Sequence, residues 1–341
     1  MSTACAATEG VAPDVFDRIR SACADVAADA RHVTVDVDRI DAVAGRLATE
    51  EELTMPAIDA RRHVVGEPGI TVAYFVTLAA VNFGSGYFPR LRKSPGMSGY
   101  FTIASRLTDR FRASGALTAD ALAGASPEAC AEIFGQSLDD PAIRELMTLF
   151  ARAWNALGRD LIDRYDGDFL GLIEAAGASA ARLVELLSRQ PFFDDIAHYH
   201  GRPVPMLKRS QLLASDLDLA LAGRDAGRFD DLDAGRFDDL DRLTIFADNL
   251  VPHVLRLDGI LAYAAPLAAA IEREEPIPAG SDEEIEIRAC SIHACELLRA
   301  AIARRGRSIT SRQLDQMLWH RGQRPDVKGA GKRHRTRTVF Y

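Results

Sequence analysis

Paired cysteines, a long apolar run and an excess of positive charge are all missing from this chain, and each absence excludes a class of protein. Five cysteines (Cys5, Cys23, Cys130, Cys290 and Cys295) in 341 residues form an odd set without paired spacing, which argues against a disulfide framework and for a reduced, cytoplasmic protein. The longest apolar run, Ile260 to Ile271, is 12 residues and contains Pro266, whereas a membrane-spanning helix needs about 20. MSTACAATEG at the N-terminus has neither a basic n-region nor an apolar core, so no secretory signal is indicated. The 41 basic residues are outnumbered by 49 acidic ones, for a net charge of −8. A general nucleic-acid binder would need a basic face for phosphates, and the only basic cluster runs from Lys332 to Arg337.

What is present is a sizeable apolar fraction, 48%, enough for a globular core. Its periodicity is helical. Asp140 and Pro141 make a helix start, followed by Ile143, Leu146, Leu149, Phe150, Trp154, Leu157 and Leu161 at three- and four-residue intervals. Phe169 to Arg189 reads as a second helix, and Pro205 as the opening of a third that carries Lys208, Gln211, Leu212 and Asp216. Ser281 with Glu284 and Thr310 with Gln313 are capping-box patterns, with stops expected near Gly306 and Gly322. Strand signals are few: His32 to Asp38 alternates at period two, and TRTVFY would suit an edge strand. The expected fold is therefore all-α or nearly so. No linker divides it, so residues 1–341 are read as one unit, or as an N-terminal lobe of about 1–135 laid over a C-terminal lobe of 136–341.

The octapeptide DAGRFDDL occurs twice in tandem, at Asp225–Leu232 and Asp233–Leu240. That is too short and too few for a solenoid, and a duplication within a surface loop accounts for it. Cys290 and Cys295 bracket His293, but residues five apart on a helix point different ways and zinc-module spacing is absent. They read as small buried thiols. Termini ordinarily fray, so the arginine- and aromatic-rich segment from His334 to Tyr341 is expected to dock.

Two carboxylates draw attention. Asp248, in Phe246-Ala247-Asp248, stands just before a helix containing Pro252, as an N-cap or as a functional acid. Asp315 lies four residues before Trp319, on the same helix face, as a solvated acid beside a core tryptophan or as part of a site.

Taken in order, several separated motifs resemble the queuosine salvage family, the queuosine 5'-phosphate N-glycosylases. The lysine-arginine-x-glutamine helix start is matched by Lys208, Arg209 and Gln211. Phe246, Asp248, Val251 and Pro252 match the segment that follows, and Glu284, Glu286, Ile287 and Arg288 match a third. Asp315, Leu318 and Trp319 form the next element, and His334, Arg335, Arg337 and Tyr341 the closing one. Upstream, Arg62-His63, Val81-Asn82-Phe83 and Ser98-Gly99-Tyr100 are similar to the family's N-terminal blocks. The likeness runs from about residue 60 onward. It departs at Asn249 and His253, where tyrosine and glutamine are usual, and at Gly84-Ser85-Gly86-Tyr87, which replaces an aromatic pair.

The resemblance implies a helix-rich fold like that of helical DNA glycosylases. It also implies hydrolysis of queuosine 5'-phosphate to queuine and ribose 5-phosphate, with no metal or redox cofactor, no membrane and no stable nucleic-acid partner. Such a reaction passes through a ribosyl cation, which a carboxylate can stabilise. Queuine is a deazaguanine with an aminomethyl cyclopentenediol arm, and carbon in place of N7 removes one protonation site on the leaving group. On this reading Asp248 and Asp315 are the catalytic candidates, one near C1' and one at the base edge, in either order. Phe246 would stack on the base, beside Trp319 and Tyr341. Lys208 would hold the phosphate or keep an aspartate ionised. His63 would contact the arm or lie in the core. Arg335 and Arg337 would bind the phosphate or pin the tail. A base-excision glycosylase and a non-catalytic helical scaffold are the competing readings. A duplex binder must lose affinity steeply with salt, and a scaffold must be indifferent to Asp248→Asn and Asp315→Asn.

Overall fold

A computed structural model describes residues 13–49, 57–222 and 236–341. Among these, fifteen α-helices and four short strands follow one another. In order they are α1 (Val15–Asp29), β1 (Val33–Val35), α2 (Val37–Leu47), α3 (Pro68–Val81), α4 (Gly99–Ser114), α5 (Ala119–Ala123), α6 (Pro127–Phe134) and α7 (Pro141–Tyr165). Then come α8 (Phe169–Ala176), α9 (Ala180–Leu187), β2 (Ile196–Tyr199), β3 (Arg202–Pro205), α10 (Lys208–Leu221), α11 (Val251–Leu257), β4 (Leu261–Tyr263) and α12 (Ala265–Glu272). The last are α13 (Asp282–Ala303), α14 (Ser311–Gln323) and α15 (Pro325–Gly329). The chain is nearly all helical, as its periodicity indicated. None of these helices is long and apolar enough to cross a membrane.

The strands serve as clips. β1 pairs antiparallel with β4, joining segments more than two hundred residues apart, and β2 pairs with β3 around His200 and Gly201. Both turn residues have positive φ, 49° and 79°, the geometry of a two-residue hairpin turn. The expected strand at His32–Asp38 is present in shortened form, but TRTVFY adds no strand. Just ahead of it, Arg335 forms an isolated bridge with Pro276.

Two expected boundaries fall elsewhere. The helix expected from Phe169 to Arg189 is broken by Gly177, at φ 59°, into α8 and α9. The α9 start is capped by Asp239, whose carboxylate accepts from the Ala180 and Ala181 N–H groups. Pro205 closes β3 instead of opening α10, because Leu207 turns the chain through left-handed φ/ψ of 49° and 39° first. The stop expected near Gly322 is met, since α14 ends at Gln323; the glycine itself allows close packing, because a Cβ there would stand 2.7 Å from Leu250. Asp239 belongs to the second copy of the octapeptide; residues 223–235, which hold the first copy, lie outside the described residues.

α3 carries an unbroken buried run from Thr71 to Val81, which a helix surrounded on all sides requires. α10, α7 and α8 pack around it, while α13 packs on α1 and α2. Cys290 and Cys295 are free, buried thiols on α13. Glu286 on the same helix is fully buried; its Oε2 accepts from the backbone N–H groups of Arg31, His32 and Val33 and its Oε1 from the Tyr199 hydroxyl.

Arg288, two residues further along α13, makes the central polar contact. Its guanidinium donates to both Asp195 oxygens at 2.9 and 2.7 Å, and its Nε donates to the Ala247 carbonyl at 3.1 Å. Its plane lies over the Tyr341 ring, 4.7 Å from the centroid. Asp195 in turn accepts from the Lys208 N–H at 3.1 Å. One buried pair thus ties α13 to the start of α10, to the segment between Phe246 and Asp248, and to the closing segment. Removing one member of such a pair leaves an uncompensated buried charge. Arg288→Met is expected to cost about 3–5 kcal/mol in a urea unfolding experiment, and a loss below about 1 kcal/mol would contradict the assigned role.

Candidate active site

A cavity of about 710 Å³ opens between these elements, within the range of small-molecule pockets. Four parts of the chain build it: the stretch from Ala57 to Phe101, the α10 face, the Phe246–Leu250 segment, and α14 with the loop that follows α15.

Each wall has a local cause. α10 presents Lys208, Leu212, Asp216 and Leu219, residues whose helical spacing keeps them on one broad face. The helix is held in place by the two other members of its opening motif. Arg209 donates to the Ala79 and Ala80 carbonyls at 2.7 and 2.8 Å, satisfying the C-terminal end of α3. Gln211 donates to the Met206 carbonyl and accepts from the Thr244 N–H, each at 2.9 Å. Lys208 faces the cavity, and its neighbours in the motif are architectural.

The Phe246–Leu250 segment is aligned by two aspartates. Asp315 Oδ1 on α14 accepts from the Phe246 N–H at 2.8 Å. Asp248 Oδ1 accepts from the Leu250 and Val251 N–H groups at 2.6 and 3.2 Å. Asp248 is therefore an N-cap of α11 and a cavity residue at once; its Oδ2 has no hydrogen-bond partner among the described residues.

Three carboxylates, Asp216, Asp248 and Asp315, surround the Lys208 ammonium, and none is within ion-pair distance of it. Burial draws the Lys208 ammonium below its ordinary range, against the pull of Asp248 and Asp315. Burial also pushes the Asp315 carboxyl up to about 7, opposed by the Phe246 N–H and supported by Asp248. Asp216 is likewise pushed up to about 7 by burial, which the charges of Lys208 and Arg312 only partly offset.

The rim has the opposite sign. Lys93, Lys328, Lys332, Arg333 and Arg335 all line the cavity. Burial lowers Arg333, and Asp248 counteracts this. Lys328 is lowered by desolvation together with the charges of Arg333 and Lys93, so the three cations crowd one another. Arg335 and Lys332 share Glu274. An anion entering there would meet charge that the protein does not neutralise by itself.

An aromatic wall completes the site. Trp319 stands edge-on to Tyr100 and Phe101, at 6.2 and 5.9 Å between centroids, and Phe246 and Phe88 also line the cavity. His63 reaches it too, but both ring nitrogens are engaged: Nδ1 with the Asp59 carbonyl at 3.1 Å and Nε2 with the Tyr100 hydroxyl at 3.0 Å.

The structure thus brings together Lys208, Phe246, Asp248, Asp315, Trp319, His63, Arg335 and Tyr341. It does not bring Arg337, which lies against Tyr87 and Glu145 beside a separate small hollow. The reading of that arginine as a pin for the tail fits its position. The segment it belongs to is docked: the Tyr341 carbonyl accepts from the Gly84 N–H at 2.9 Å, and a Cβ on Gly86 would stand 2.3 Å from the Thr336 carbonyl oxygen. The close approach at Gly86 and the positive φ of 101° at Gly84 account for glycines where the resemblance expects aromatics. Asp216, Tyr100, Arg333, Lys93 and Lys328 line the cavity as well, although their sequence positions gave none of them a role in the site. Asp216 was within reach of the sequence reading, two turns after Lys208 on the same helix.

A family model described as queuosine salvage protein matches residues 62–341. The queuosine 5'-phosphate N-glycosylase/hydrolase of Sphaerobacter thermophilus is 38% identical over 93% of this chain and 95% of its own length. Proteins of the same description from Dictyostelium discoideum and Schizosaccharomyces pombe are 33% and 31% identical, over 65% and 68% of this chain and 65% of their own lengths.

An acid with a raised carboxyl binds more protons folded than unfolded, so its contribution to stability is largest at acid pH and is lost as pH rises toward 7. Asp315→Asn cannot ionise. It is expected to lose less thermal stability than the native chain between about pH 5 and pH 8. A larger loss in the variant would mean that Asp315 is held ionised by Lys208.

Proposed function

The chain belongs to the queuosine salvage protein family, and from that membership and the cavity we propose that it hydrolyses the N-glycosidic bond of queuosine 5'-phosphate to queuine and ribose 5-phosphate. The observation that carries this reading is the division of charge along one nucleotide-sized cavity: cations at the rim, carboxylates and one lysine within, and an aromatic wall beside them. A 5'-nucleotide has the matching order of phosphate, sugar and base.

The phosphate belongs at the rim. Lys93, Lys328 and Arg333 suit it, with Arg335 in support, in preference to Arg337. The ribose then lies beside Asp248, whose free Oδ2 is assigned to the anomeric carbon. As the C1'–N bond breaks, its electron pair goes to the base nitrogen and positive charge develops on the ribose. A preorganised carboxylate stabilises that charge without having to reorient. Asp248 also takes the proton of the attacking water, whose oxygen forms the new bond to C1'.

Asp315 is assigned to the base. A deazaguanine edge offers neighbouring N–H donors, which a carboxylate accepts well. The departing nitrogen lies on the opposite side of the base from that edge and takes up its proton from solvent. Lys208 balances the three acids, so that the unoccupied site does not hold several unpaired negative charges. Trp319 and Phe246 supply the stacking surface. His63, with both nitrogens engaged, supports Tyr100.

This chemistry draws its charge stabilisation from side chains and calls for no metal or redox cofactor. We read the substrate as a free nucleotide in the cytoplasm, in keeping with the net charge of −8 and with residues from both lobes, 1–135 and 136–341, lining one cavity.

Incubation of the purified protein with queuosine 5'-phosphate, followed by mass spectrometry, is expected to show free queuine and ribose 5-phosphate; intact substrate with folded protein would refute the reading. Arg333→Ala is expected to raise KM about tenfold or more, the scale of a lost charge-assisted hydrogen bond, whereas Arg337→Ala leaves kcat/KM unchanged. The reverse pattern would return the phosphate to Arg337.

A further inference from the structure

Asp216 is a half-buried acid to which the chemistry above gives no task. It sits on α10 eight residues after Lys208, about 12 Å further along the helix axis at 1.5 Å per residue, and it lines the same cavity beside Tyr100 and His63. No hydrogen bond or ion pair to its side chain exists among the described residues. The nearest guanidinium is committed elsewhere: Arg312 pairs with Asp218 at 2.8 Å and donates to the Ser215 hydroxyl and carbonyl at 2.8 and 3.0 Å. α10 thus carries two acids two residues apart, and Arg312 neutralises the one that faces away from the cavity. Asp59, the other carboxylate near His63, is held by Arg61 and Arg62. Asp216 is left without a direct partner, within reach only of the more distant charges of Lys208 and Arg312.

A carboxylate in that position costs stability while the site is empty, because desolvation disfavours its charge. A ligand that delivers a cation to it removes the cost. The rim is cationic and lies at the other end, so the cation must come from the part of the ligand most distant from the phosphate. In queuosine 5'-phosphate that part is the base, and its aminomethyl arm carries a secondary ammonium.

We propose that Asp216 is the specificity-determining acid of this site, the counterion for the ammonium on the arm of the base. This rests on the substrate reading above and extends it: the cavity selects nucleotides whose base bears a cationic substituent and discriminates against plain purine or deazapurine 5'-phosphates. Hydrogen bonds to a charged partner contribute more than neutral ones, and only the arm-bearing base gains this one.

The test compares queuosine 5'-phosphate with 7-deazaguanosine 5'-phosphate, which lacks the arm, as substrates for the native protein, Asp216→Asn and Asp216→Glu. Asp216→Asn is expected to lower kcat/KM for queuosine 5'-phosphate about ten- to hundredfold, the worth of one hydrogen bond to a charged group. The same variant should leave the arm-less substrate unchanged or improved, and Asp216→Glu should restore part of the preference. An equal loss on both substrates, or none on either, would overturn the proposal while the native protein still releases queuine. A native protein that releases no queuine would instead refute the substrate reading and take this inference with it. Binding of free queuine and free 7-deazaguanine by calorimetry gives the same comparison without turnover: Asp216→Asn must weaken queuine selectively, and parallel affinities would overturn the assignment.

Discussion

The site depends on a contact that does not line it, the buried pair between Arg288 and Asp195. Its geometry is bidentate, which fixes the relative orientation of the two side chains as well as their distance. From that pair, one further bond reaches each neighbouring wall: Asp195 to the Lys208 N–H, Arg288 to the Ala247 carbonyl, and the guanidinium face to Tyr341. Lys208, Phe246, Asp248 and the closing segment therefore share one origin, although they come from regions of the chain far apart in sequence. Burying such a pair contributes little net stability over an apolar substitute; its value here is in alignment.

The cavity carries the complementary strain. Three carboxylates face one lysine across a space wide enough that no ion pair forms, and burial shifts Asp216, Asp315 and Lys208 toward their neutral forms. A protein selected only for stability would close that gap with direct pairs. Leaving it open keeps the charges available to a ligand, in the way active sites commonly hold perturbed groups. The left-handed backbone of Leu207, just ahead of Lys208, is a second local cost at the same place.

Much of this was legible in the sequence. The apolar periodicity from Ile143 to Leu161 reports α7 because helix burial has a fixed period. Thr310 and Gln313 report the start of α14 because the reciprocal bonds they form are local. Local rules fail where tertiary contacts decide. Phe169 to Arg189 reads as one helix until Gly177 is seen to break it, and Pro205 reads as a helix start until Leu207 is seen to turn the chain. Within the site, the resemblance singled out residues that recur together without separating their tasks. Arg209, Gln211, Glu286 and Arg288 build the frame, while Lys208, Asp248 and Asp315 face the cavity. Asp216 stood in the sequence without a role because nothing local distinguishes it from Asp218; only the position of Arg312 shows which of the two lacks a direct partner.

The central claim is that Asp248 acts on the charge developing at C1', a charge absent from the bound substrate, so its loss must impair turnover without impairing binding. Asparagine caps helices as well as aspartate does, so Asp248→Asn leaves the start of α11 supported. The most direct measurement combines calorimetric binding of queuosine 5'-phosphate to this variant with its single-turnover rate. The account predicts affinity within a few-fold of the native protein and a rate lower by about a hundredfold or more, the scale of one lost electrostatic group. A variant that turns over at the native rate, or one that remains folded yet no longer binds the nucleotide, would contradict it.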